Sequence, residues 1–126
     1  MAATLQILGL VAALQVKHFI ADGPLQTKHM VERKSIYGAG AGVAHAAIHA
    51  AGTALVLVVA LGLAPIAALL ALLDFVIHYH VDYLKENLVK WAGWTVKDGP
   101  FWWALSADQT LHQLTYLAIT ALALSP

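Results

Sequence analysis

Four stretches of this chain, residues 2–22, 38–63, 65–86 and 101–124, are apolar over lengths that match the hydrocarbon core of a bilayer. A transmembrane helix takes about 20 such residues, since all its backbone groups must bond internally and each residue adds only about 1.5 Å. No other feature limits the fold so far. The expectation is an all-α polytopic membrane protein: one domain, residues 1–126, forming an antiparallel bundle of four transmembrane helices. Charge agrees with this, because 11% charged residues beside 60% hydrophobic ones are too few to coat a water-soluble domain. The competing soluble fold would have to bury almost every helix completely. The first stretch does not read as a signal peptide: it lacks a basic start, and Lys17-His18 stands where a small-residue cleavage site belongs. A net charge of zero offers no footprint for nucleic acid. The absence of cysteine excludes disulfides and thiolate metal sites.

The connections set the orientation. "GLAP" (62–65) predicts a tight hairpin, whereas 23–37 is a polar loop opened by the helix breaker Gly23-Pro24. In 87–100, lysines mix with Trp91 and Trp94, and Trp102 and Trp103 follow; this suits the headgroup layer, with a short interfacial helix as one form it can take. All seven basic residues lie at or between the ends of the first and second stretches or of the third and fourth. The positive-inside rule then places both polar connections in the cytoplasm and both termini outside, as in a bacterial inner membrane.

Against this apolar background the polar residues are regularly spaced. His18 and Asp22, His45 and His49, Asp74, His78 and Asp82, and Asp108 and His112 recur at i, i+4, hence on one face of each helix. Antiparallel packing brings all four sets to the cytoplasmic half, with His45 and His49 roughly 10–16 Å into their helix. Aspartates in hydrocarbon are costly unless neutralised. Two divalent cations would balance the four, and mixed imidazole and carboxylate ligands suit Zn²⁺, Mn²⁺ or Fe²⁺. Soluble four-helix proteins build dinuclear carboxylate centres in this way. The metal-ligand candidates are therefore His18, Asp22, His45, His49, Asp74, His78, Asp82, Asp108 and His112. Ion pairs of Asp with His, Lys17 or Lys85 could instead neutralise the set without metal. His80 points to another face than His78, and His29 lies in the loop.

"HFIADGPLQ", "HYHVDYLK" and "DQTLH" resemble the motifs of an uncharacterised family of small bacterial and phage-encoded membrane proteins, a domain of unknown function. The resemblance covers nearly the whole chain: HxxxDxxLQ after the first span, His in the second, HxxxDxxK in the third and DQxxH in the fourth. It marks His18, Asp22, Gln26, His45, His78, Asp82, Lys85, Asp108, Gln109 and His112 and implies no established activity.

The expected function is a membrane-embedded, metal-dependent hydrolase of a phosphoester or other amphiphilic substrate. Lys85 would hold a phosphate, with Lys17 a second candidate, and Asp22 or Asp74 would serve as general base. The alternatives are a transition-metal transporter, a membrane di-iron oxidase, and a structural or accessory subunit. The expected partners are the lipid bilayer, an amphiphilic phosphate, and a second copy or a membrane complex.

Overall fold

The computed structural model describes residues 1–62 and 65–125, with Ala2 described by its backbone alone. Five helices make up the fold: α1 (Ala2–Asp22), α2 (Lys28–Arg33), α3 (Gly40–Leu61), α4 (Pro65–Ala92) and α5 (Gly99–Ala123). No strand occurs among the described residues. Leu63 and Ala64, the middle of the expected "GLAP" hairpin, lie outside them.

Local chemistry explains where these helices begin and end. α1 stops at Gly23, whose N–H donates to Phe19 O at 2.9 Å, and Pro24 cannot continue the helical ladder. Thr27 caps α2 by accepting from Met30 N–H at 3.2 Å. Gly62 ends α3 at φ +81 and Gly93 ends α4 at φ +69, backbone angles that disfavour a side chain. Pro100 opens α5, where a missing N–H costs nothing. Just before it, Asp98 accepts from the Thr95 amide at 2.8 Å and the Thr95 hydroxyl at 2.9 Å. Those two bonds hold its carboxyl below the usual range.

Helix enters both polar connections. The loop 23–37 contains α2, because Thr27 supplies a cap and "KHMVER" forms a full turn and a half behind it. In turn, 87–92 is helix, since nothing in "NLVKWA" breaks the pattern before Gly93.

α1, α3 and α4 are long and apolar enough to cross a membrane. α5 is not among them, because Ser106, Asp108, Gln109, Thr110, His112 and Gln113 break its apolar run. The four long helices pack as a ring, α1 on α3, α3 on α4, α4 on α5 and α5 on α1, with α2 laid on α3. The end of α1 meets the first half of α3, the latter half of α4 and the first half of α5, so successive long helices run in opposite senses.

The interior divides into two halves. Near the chain termini it is apolar, built from Leu10, Leu14, Leu57, Leu70 and Ile119 around the Tyr116 ring. The other half holds Lys17, His18, His45, His49, Asp74, His78, Asp82, Asp108 and His112, all buried. Outward-facing positions carry Leu5, Leu8, Phe19, Leu55, Val59, Leu69 and Leu72, all exposed. Such a surface is stable against lipid and unfavourable against water. Between lipid-bathed helices apolar burial gives little net drive, so the internal polar contacts carry much of the association.

Candidate metal centre

The centre is built on four stripes of i, i+4 side chains aimed into the ring. Asp22 comes from the last residue of α1, His45 and His49 from α3, His78 and Asp82 from α4, and His112 from α5. Two groups have ligand atoms within 4.8 Å of one another: Asp22, His45, His49 and His78, and then His78, Asp82 and His112. Asp22 Oδ1 lies 3.2 Å from Nε2 of His45 and 3.0 Å from Nε2 of His49. Nε2 of His45 and His78 are 3.3 Å apart. Asp82 Oδ2 is 3.4 Å from both of these nitrogens, and its Oδ1 is 3.4 Å from Nε2 of His112. Several of these spacings are long for hydrogen bonds. They match the edge of a coordination tetrahedron, roughly 3.3 Å when metal–ligand bonds are about 2.0–2.1 Å.

The imidazoles are held by packing as much as by hydrogen bonds. His49 and His78 stack with centroids 3.6 Å apart, and His78 and His112 at 4.0 Å. The outer nitrogens, Nδ1 of His45, His78 and His112, are buried without a partner. In this the site departs from the usual metal-bound histidine, which donates that N–H to a second group.

Three of the expected ligands fall outside both groups, each for a visible reason. His18 is fully engaged. Lys17 Nζ donates to the Tyr116 hydroxyl at 2.9 Å, and that hydroxyl lies 2.8 Å from His18 Nδ1. His18 Nε2 lies 2.9 Å from Gln109 Oε1 and 3.0 Å from Asp22 Oδ2. His18 thereby braces Asp22 from the α1–α5 side. Asp74 lies deeper, taking Lys17 Nζ at 3.0 Å and the Thr53 hydroxyl at 2.6 Å. This ion pair answers its charge, as the metal-free reading of the sequence anticipated for Lys17. Asp108 Oδ2 accepts from Gln109 Nε2 at 3.1 Å, while its Oδ1 stays 3.5 Å from His112 Nε2.

A cavity of about 510 Å³ opens beside the centre. Asp22 and Asp82 line it, together with Gln26, Lys34, Lys85, Glu86, Asp108 and Gln109. Lys85 pairs with its neighbour Glu86. Asp74 is not among the residues that line the cavity. His80 lies on another face, as its spacing predicts, bonded to Val76 O at 2.7 Å and near the Tyr37 hydroxyl at 3.2 Å.

Residues 10–125 match the model of a family described as "Protein of unknown function (DUF3307)". The chain belongs to this family. No curated protein matches it, and no solved structure does. The match bears out the expected membership of an uncharacterised family and assigns this DUF3307 chain no reaction.

Sequence reasoning missed three members of the site. Thr53 and Tyr116 continue the stripes 45–49 and 108–112 by one more i, i+4 step, so the signal was present and stopped too early. Lys34 had no such signal. It follows α2, yet its amine reaches Asp82 Oδ2 at 2.8 Å from a buried position. Its path depends on how the connection folds back over the ring.

Proposed function

We propose that this protein is an integral membrane hydrolase that uses a transition-metal ion, held by Asp22, His45, His49 and His78, to cleave a phosphoester or similar bond in an amphiphilic substrate. α5 serves as the fourth span, and the connections carrying Lys34 and Lys97 face the cytoplasm, following the distribution of basic residues. One observation carries the reading: four ligand atoms from three helices converge, and one of those ligands, Asp22, also lines the polar cavity. Beyond the centre, the apolar cluster of Leu10, Leu14, Leu57, Leu70 and Ile119 closes the ring. A one-sided site of this kind suits an enzyme better than a carrier, which needs polar access from both faces.

Charge and ligand count refine the proposal to one complete centre. Lys17 neutralises Asp74, and Lys34 neutralises Asp82. Asp22 and Asp108 remain, balanced by one divalent cation. His78 Nε2 can serve only one ion, so a second would be left with Asp82 and His112 alone. Four protein ligands saturate a tetrahedral ion but leave two positions on an octahedral one, which favours Mn²⁺ or Fe²⁺ over Zn²⁺ for catalysis. Such an ion supplies Lewis acidity and makes a bound water more acidic. Asp82, which lines the cavity and lies 3.4 Å from His112 Nε2, is placed to take the proton. Lys85 would turn from Glu86 to a substrate phosphate.

The test is elemental analysis of the detergent-purified protein, followed by assay against lipid phosphates, nucleotides and acyl esters. One equivalent of Mn or Fe with turnover supports the proposal. Protein purified in metal-supplemented buffer that holds no metal refutes it.

A further inference from the structure

The cavity beside the metal centre is not built for an anion alone. Among its lining residues are four carboxylates, Asp22, Asp82, Glu86 and Asp108, and two ammonium groups, Lys34 and Lys85. Both ammonium groups already have carboxylate partners. The groups without a hydrogen-bond partner are acceptors: Gln26 Oε1 and Asp108 Oδ1, both buried atoms of cavity-lining residues, the latter with His112 Nε2 3.5 Å away, beyond a full hydrogen bond. Asp108 is only 4% exposed. A buried carboxylate oxygen lacking a donor costs free energy, which a ligand bringing N–H groups recovers.

A second feature gives that ligand a tail. Between α4 and α5 runs an apolar groove of about 210 Å³, walled by Val81, Leu84, Leu88, Ala104, Ala107 and Leu111. It meets the polar cavity at Lys85 and Asp108, which line both. The exposed Leu84, Leu88 and Leu111 turn this groove toward the lipid-facing surface. A polar chamber and an apolar groove that join at one carboxylate and one ammonium match a molecule with a chain, a phosphate and an amine. With one divalent ion at the centre, the chamber's six charged side chains sum to neutrality, which complements a zwitterion rather than a net charge.

We infer that Asp108, assisted by Gln26, forms a recognition subsite for the primary ammonium group of a lipid of the phosphoethanolamine type. Its phosphate lies toward Lys85 and its chain in the α4–α5 groove. This deepens the proposed function by naming the substrate's headgroup, but binding is read without turnover, so the two stand or fall separately.

The experiment is native mass spectrometry of the detergent-solubilised protein, as purified, with equal amounts of phosphoethanolamine, phosphocholine and phosphoglycerol lipids of the same chains. The phosphoethanolamine lipid should be retained at least tenfold better than the other two, because a trimethylammonium group has no N–H to donate and phosphoglycerol has no cation. Asp108→Asn should remove that preference while the protein stays folded. Gln26→Leu should weaken it several-fold, and Ala107→Phe, which fills the groove, should weaken retention of all three. Equal retention of the three lipids overturns the inference, as does a preference that survives Asp108→Asn. Soluble phosphoethanolamine that binds as tightly as the lipid overturns the role of the groove.

Discussion

Lys17 ties all four long helices together. Rooted in α1, its amine lies 3.0 Å from Asp74 of α4, 2.9 Å from the Tyr116 hydroxyl of α5 and 3.5 Å from His49 Nδ1 of α3. The last contact is at the outer limit of a hydrogen bond. Replacing Lys17 by Met keeps the volume and removes the charge. Asp74, 1% exposed, then has only the Thr53 hydroxyl. Breaking a buried pair by removing one partner costs about 3–5 kcal/mol. An independent ceiling comes from protonation: neutralising a carboxyl about three pH units above its ordinary pKa, at about 1.4 kcal/mol per unit, costs about 4 kcal/mol. Lys17→Met should therefore destabilise the protein by about 3–4 kcal/mol in reversible unfolding by a denaturing detergent. The double variant Lys17→Met, Asp74→Leu should recover most of that, because no orphaned charge remains. A loss below about 1 kcal/mol in the single variant, or a double variant no better than the single, would show that the pair does not carry the stability assigned to it.

His78 belongs to both ligand groups, so His78→Ala should abolish stoichiometric metal binding, and unchanged metal content by elemental analysis would remove the central claim. Lys85→Met should leave metal content nearly intact yet slow phosphoester turnover about tenfold to a hundredfold, the worth of one charge-assisted hydrogen bond; an unchanged rate argues against a phosphate at Lys85. A methyl group at residue 52 would lie 2.5 Å from Lys17 Cγ and 2.8 Å from its Cδ. Gly52→Ala should accordingly cost about 1–3 kcal/mol by overpacking in the same unfolding assay, and a neutral result would mean that the Lys17 stem has another path. Cysteines placed at Ala2 and Ser125 should label from outside intact cells; labelling only after permeabilisation would reverse the orientation.

Much of this site was legible because a helix repeats its face every fourth residue. Periodicity identified His45, His49, His78, Asp82 and His112 and placed them at one level before any coordinates. It could not divide ligands from supports. His18 has the same spacing as the others, and only its bonds to Tyr116 and Gln109 set it apart from the two ligand groups. Asp74 differs from Asp82 by two helical turns of depth, and that depth decides whether Lys17 or the histidine cluster answers it. Lys34 was illegible for a different reason: a turn between helices has no period, so its inward reach is a tertiary fact. The fold followed the same division. The apolar stretches predicted α1, α3 and α4 closely, while the polar face that α5 gives to the site breaks the hydropathy by which a span is recognised.

The length of α4 has a consequence for where the protein can work. Its 28 residues extend about 42 Å, about 12 Å more than a typical hydrocarbon core. In the orientation proposed above, an upright α4 would lift its last two turns or so, from about Lys85 onward, clear of the acyl chains. That segment carries Glu86 and Val89 at the rim of the polar cavity. Bilayer thickness then becomes a control on access: a thin membrane leaves the rim in water, and a thick one draws it down among the headgroups, where lipids replace soluble molecules as the first thing it meets.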